Sequence, residues 1–127
     1  MVLMDDEGRM IDTTMTRLRS LVERTGIALF LVSHLRRTNS DTNHEEGARV
    51  TLGQLRGSAA IAQLSDTVIA LERDQQTDSE RSLTTVRILK NRYSGETGIA
   101  CELEYDLNTC KFIEHETQSE FNPATDF

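Results

Sequence analysis

The feature that most limits the fold is the stretch IALFLVS at 27–33. An unbroken apolar run rich in branched side chains reads as a strand covered on both faces, as in parallel sheets. Just upstream, Ile11, Met15, Leu18 and Val22 recur at spacings that place them on one face of a helix. Gly26 then supplies a left-handed stop. A helix delivered directly into a doubly covered strand is half of a parallel crossover unit, so the fold class is α/β. The run ends on Ser33 and His34, with Arg36 and Arg37 close behind. His34 is either the polar stop of a core strand or part of a site. Arg36 and Arg37 follow a strand's carboxyl end, where open α/β sheets hold ligands.

Residues 36–50 are polar and turn-rich, too long for an ordinary connection. TLGQLRG and SAAIAQLSD read as short helical pieces, with Thr51 and Ser58 available as caps. TVIALER (67–73) reads as a second buried strand. LTTVRILKNR (83–92) and IACELEY (99–105) read as strands joined through YSGETG, and TCKFIE adds a last arm after a turn at Asp106 to Asn108. No internal repeat is visible. The sheet is expected to be mixed, with an antiparallel hairpin region at the carboxyl end. Because the pattern opens on a helix, part of the α/β core is expected to lie elsewhere.

The 127 residues fit one domain with a core, although at 37% hydrophobic the chain is lean. A net charge of −7 argues against a free-standing nucleic-acid-binding module held by bulk charge. The average hides segregation. From Glu114 to Phe127 there are four carboxylates and no lysine or arginine, whereas Arg36, Arg37, Arg49 and Arg56 cluster earlier. We divide the chain into a domain at 1–113 and an acidic tail at 114–127, expected to be disordered. Cys101 and Cys110 fall near opposite ends of one hairpin and show no zinc-ligand spacing, so reduced thiols and no metal site are expected. No apolar run reaches membrane-spanning length and no signal peptide is visible, so a soluble, intracellular protein without a membrane partner is expected.

Three groups of residues could carry chemistry. Arg36 and Arg37 can grip phosphate, or be ordinary surface arginines of a solvated loop. Arg56-Gly57-Ser58 combines a cation, a permissive backbone and a helix cap, which suits a tightly packed helix start or, alternatively, phosphate binding. Lys90 and Arg92 share a strand face by the period of two. They repel unless an anion sits between them, or unless both are solvated side chains of an edge strand.

The order of these pieces carries a resemblance. LFLVSHLRR, then HEEGARVTLGQLRGSAAIAQLSDTVIALERDQQ, then VRILKNRYSGETGIACELEY resemble the carboxyl-terminal half of the hexameric replicative DNA helicases. The primase–helicases of T-seven-type bacteriophages are the nearest pattern, with the bacterial and mitochondrial replicative helicases as relatives. The resemblance spans about Met10 to Tyr105. It implies the carboxyl-terminal part of a RecA-like P-loop NTPase core. His34 then matches a sensor of the nucleotide's terminal phosphate, and Gln63 a glutamine near the phosphate site. Lys90 and Arg92 match a pair reaching into the neighbouring subunit's site, Arg92 as its arginine finger. Arg73 and Tyr105 match the residues that sandwich the base. Arg36, Arg37, Arg56 and Gly57 match the two DNA-binding loops.

The implied function is coupling of NTP hydrolysis (ATP or dTTP, with magnesium) to movement along single-stranded DNA and to duplex unwinding. The implied partners are single-stranded DNA, a ring hexamer of identical subunits, and a replication polymerase meeting the acidic tail and Phe127. The implied compartment is the cytoplasm of a bacterial host. Some family features are missing. No G-x-x-x-x-G-K-[ST] motif occurs, Ser40 and Thr42 stand where the phage proteins carry further lysines, and Ala62 replaces an arginine. This chain alone is therefore expected to be inactive and to bind no nucleotide tightly. Two other readings stay open: a non-catalytic DNA-binding or assembly fragment, and a RecA-like recombinase or regulatory ATPase relative, against which the HEEG…LRGSAAIAQLSD spacing speaks.

Overall fold

Helix α1 (Leu3–Thr25) forms where the apolar spacing requires it. Met15 is buried and Ile11, Leu18 and Val22 are half-buried along one stripe. It stops at Gly26, whose φ of 69° is the left-handed conformation a side chain would disfavour; its N–H closes the last turn on the Val22 carbonyl at 2.8 Å. The computed structural model describes residues 3–35, 47–55, 59–78 and 82–115.

After α1 the chain runs extended to Leu35, which makes a single antiparallel bridge to Leu55. A 3-10 turn at Leu52–Gln54 is tied by the Thr51 amide, which donates to the Gln54 side chain at 3.0 Å. Helix α2 (Ala59–Leu64) follows and buries Ile61. The remainder is an antiparallel meander in the order β1 (Thr67–Glu72), β2 (Leu83–Asn91), β3 (Gly98–Asp106), β4 (Lys111–His115). Leu89 bulges out of the β1–β2 pairing, and Ala100 out of the β2–β3 pairing. The β2–β3 turn closes with the Gly95 amide on the Asn91 carbonyl at 2.8 Å. The Asp106 carboxylate organises the β3–β4 turn by accepting from the Asn108 amide and the Thr109 hydroxyl. Among the described residues the buried apolar core is Met15, Val50, Ile61 and Ala70.

Two expectations are corrected. IALFLVS is not a buried strand: no described residue pairs with 27–33, and Phe30 and Val32 are each 92% exposed. A doubly covered strand needs neighbours on both edges and layers on both faces. Here residues 31–35 are separated from β1 by an apolar cavity of about 340 Å³. TVIALER is buried on one face only. Ala70 and Glu72 point inward, while Ile69 and Leu71 are exposed, the alternation of an antiparallel strand. Among the described residues the sheet is antiparallel throughout. The two thiols are free: Cys101 lies on β3 and Cys110 in the following turn.

Candidate functional site

The densest polar constellation lies where α2 meets β1. Lys90, near the end of β2, sends its ammonium to the carbonyls of Ala62 (2.8 Å) and Gln63 (3.1 Å). Those carbonyls belong to the last turn of α2, where helix acceptors lack partners and the helix dipole is negative. Arg92 stands one residue beyond β2. Its amide donates to the Asp66 carbonyl at 2.9 Å, and its Nη1 to Asp66 Oδ1 at 3.1 Å. Asp66 also receives Nη1 of Arg19, from α1, on both carboxylate oxygens at 2.8 Å. Arg19 in turn meets Glu23 at 2.9 Å.

The Arg19 hydrogen bond, with help from Arg92, holds the Asp66 carboxyl below its ordinary range. Hydrogen bonds donated to Glu23 and Asp66 raise Arg19 above its own. The charge repulsion anticipated between Lys90 and Arg92 is thus met within the chain, by helix carbonyls for one and a carboxylate for the other. Arg92 keeps 60% of its side chain exposed.

Gln63 sits on α2 with its side chain exposed, and only its carbonyl meets Lys90. His34 is exposed at the end of the extended segment rather than of a strand, on a groove of about 430 Å³ that it shares with α1. Arg73 and Tyr105 stand at the opposite end of the sheet from Lys90, with β2 between them. Tyr105 packs its ring on Phe112 at 5.0 Å, tilted by 57°. Arg73 borders a polar cavity of about 170 Å³ with Gly47, Glu72, Asp74, Thr85 and Glu102. Arg36, Arg37, Arg56 and Gly57 lie outside the described residues, as do Ser58 and the tail from Glu116.

Sequence reasoning missed Glu72 and Asp66. Glu72 is buried, with bidentate bonds from Arg87 (Nε 2.7 Å, Nη2 3.1 Å) and one from the Val50 amide at 2.9 Å. Burial pushes its carboxyl up, but the Arg87 and Val50 hydrogen bonds, with the charges of Arg87 and Arg49, bring it below the ordinary value. The signal was available: counting by two from Val68 places Ala70 and Glu72 on one face. Asp66 gave no such signal, because only the fold brings Arg19 and Arg92 to it.

A family model, the DnaB-like helicase C terminal domain, matches residues 3–114. This chain belongs to that family. Over 104 residues it is 48% identical to the "DNA helicase/primase" of Enterobacteria phage T3, a stretch covering 82% of this chain. The same stretch is 18% of the phage protein, so the chain spans about a fifth of the relative it matches. The mixed α/β fold read from the sequence is that of the DnaB-like helicase C-terminal domain, RecA-like in class. Its described part contains no helix long and apolar enough to cross a membrane.

Proposed function

We propose that this chain is the carboxyl-terminal part of the motor of a replicative DNA helicase. In the assembled protein, a ring of identical subunits, the motor couples NTP hydrolysis to movement along single-stranded DNA and to duplex unwinding. The observation that carries the reading is the α2–β1 corner. Two cations are held there by the chain's own groups, and Arg92 remains largely exposed. Such a cation, offered to a neighbouring subunit's triphosphate, would stabilise charge developing on the transferred phosphoryl group.

The remaining roles rest on the resemblance to the helicase family. By that resemblance His34 and Gln63 would act at the phosphates, and Arg73 and Tyr105, at the far end of the sheet, would hold the base. Arg36, Arg37, Arg56 and Gly57 grip the DNA backbone without reading sequence. Among the described residues no cluster of His, Cys, Asp or Glu is placed to hold a metal ion. The exposed apolar stretch around Phe30 and Val32 suits a core completed by further protein. The acidic tail and Phe127 are offered to a replication polymerase, and the setting is the cytoplasm of a phage-infected cell.

Purified alone, the chain is expected to show no DNA-stimulated NTP hydrolysis; robust turnover overturns the reading. Joined to the preceding segment of the phage T3 relative, it is expected to hydrolyse NTP. Arg92→Ala should then lower turnover on the order of a thousandfold while nucleotide binding persists. The exposed Phe30 and Val32 also favour a second reading, a non-catalytic fragment that associates with other subunits. Gel filtration with and without single-stranded DNA separates that from an inert monomer.

A further inference from the structure

Arg92 is tied to one residue at two points. Its amide donates to the Asp66 carbonyl and its Nη1 to the Asp66 carboxylate. Only one guanidinium nitrogen is used; among the described residues Nε and Nη2 have no partner on this chain, and the side chain is 60% exposed. A contact made for burial would take up more of the group, and a loose surface contact would not also fix the backbone. Asp66 is meanwhile held on both oxygens by Arg19, which keeps the carboxylate from turning fully toward Arg92. Counting Lys90, Arg92 and Arg19 against Asp66 and Glu23, the corner keeps a net positive charge.

We propose that Asp66 is a positioning residue for Arg92. Braced from α1 by Arg19, it fixes the guanidinium at the α2–β1 corner and leaves its remaining donors free for an incoming phosphate. The inference rests on the reading of Arg92 as the cation that acts on a neighbour's nucleotide. It adds that the cation is aimed before the nucleotide arrives. Pre-orientation matters because a flexible arginine must lose side-chain freedom at the moment it engages, whereas a tethered one has lost it on folding.

Two measurements test this. In the 127-residue chain, side-chain nuclear relaxation of the Arg92 Nε–H group should report an ordered guanidinium, with Asp66→Asn and Asp66→Ala both making it mobile. Lys90 should stay ordered in both variants, because its partners are helix carbonyls. Arg92 equally mobile in all three proteins overturns the inference. So does Lys90 loosening together with Arg92, since the corner would then have come apart and Asp66 would be merely structural.

In the chain joined to the phage T3 segment, Asp66→Asn should lower kcat at least tenfold and leave KM within twofold. A wild-type kcat there overturns the inference provided Arg92→Ala abolishes turnover. If Arg92→Ala is itself silent, or the joined protein is inactive, the reading of Arg92 falls, and the relaxation measurement alone decides the role of Asp66.

Discussion

Residues 67–72 and 27–32 carry much the same kind of sequence, TVIALE and IALFLV, yet only the first becomes a strand. β1 finds its partner a short loop away, where β2 begins at Leu83, and each later strand pairs with the one before it. Closing such short loops costs little conformational entropy, so the meander assembles from contacts near in sequence. IALFLV has no such neighbour among the described residues and leaves Phe30 and Val32 almost wholly exposed. Strand propensity is common to both. What differs is whether the hydrogen-bonding partner lies nearby in the same chain.

The sheet's dependence on Glu72 offers the strongest way to break this contrast. Glu72→Ala leaves a half-buried Arg87, whose side chain is 13% exposed, without its carboxylate, and frees the Val50 amide. Urea unfolding should show a loss on the order of 3–5 kcal/mol. Replacing both partners, Glu72→Leu with Arg87→Met, should recover a large part, since no buried charge is then left alone. A loss under about 1 kcal/mol for Glu72→Ala would mean that the meander does not depend on this pair.

The same pair sets an acid limit. Because the folded Glu72 value lies below its ordinary 4.5, its contribution is present above that pH. It is lost as pH falls through the depressed folded value. Unfolding followed from pH 6 to pH 2 should therefore steepen below about 4.5 in the wild type and less so in the double variant.

A smaller effect marks the boundary between the two regions. Gly26→Ala meets no atom within 4 Å, so its cost is backbone strain alone at φ 69°, about 1 kcal/mol by thermal melting. Gly47→Ala, also at positive φ (79°), should cost more, because the new Cβ comes within 3.1 Å of Asp74 Cβ. Equal costs would show that α1 and the extended segment are locked together more tightly than the structure indicates.

How much of this could be read from sequence depends on how local the cause is. The α1 stripe, its stop at Gly26, the hairpin turn at Asp106 and the strands at 83–92 and 99–105 all rest on spacing within a few residues, and all appear. The strand at 27–33 does not, because its pairing depends on groups that period and composition cannot name. The same holds for the site. Lys90 and Arg92 stood out as cations with unresolved repulsion. Their actual partners, the α2 carbonyls and Asp66, come from a helix 27 to 28 residues and a corner 26 residues away. Glu72 lies between these cases, a residue whose inward direction the alternation contains but whose ion pair needed the β1–β2 register.

The smallest predicted effect on stability falls on the exposed run itself. Phe30→Ser and Val32→Ser should each change unfolding free energy by no more than about 0.5 kcal/mol, as expected for side chains already in water. Ile61→Ala, at a buried position on α2, should cost about 2–4 kcal/mol. Sedimentation should meanwhile show less self-association for the two serine variants, since a contiguous apolar patch is a site for contact between copies. Suppose instead that Phe30→Ser costs well over 1 kcal/mol. Residues 27–33 would then be packed in solution after all, and concentration would reveal by what. A cost that grows with protein concentration points to a second copy pairing along IALFLV. A cost independent of concentration means the chain closes on its own β1 edge across the 340 Å³ cavity, which restores the strand that the sequence led us to expect.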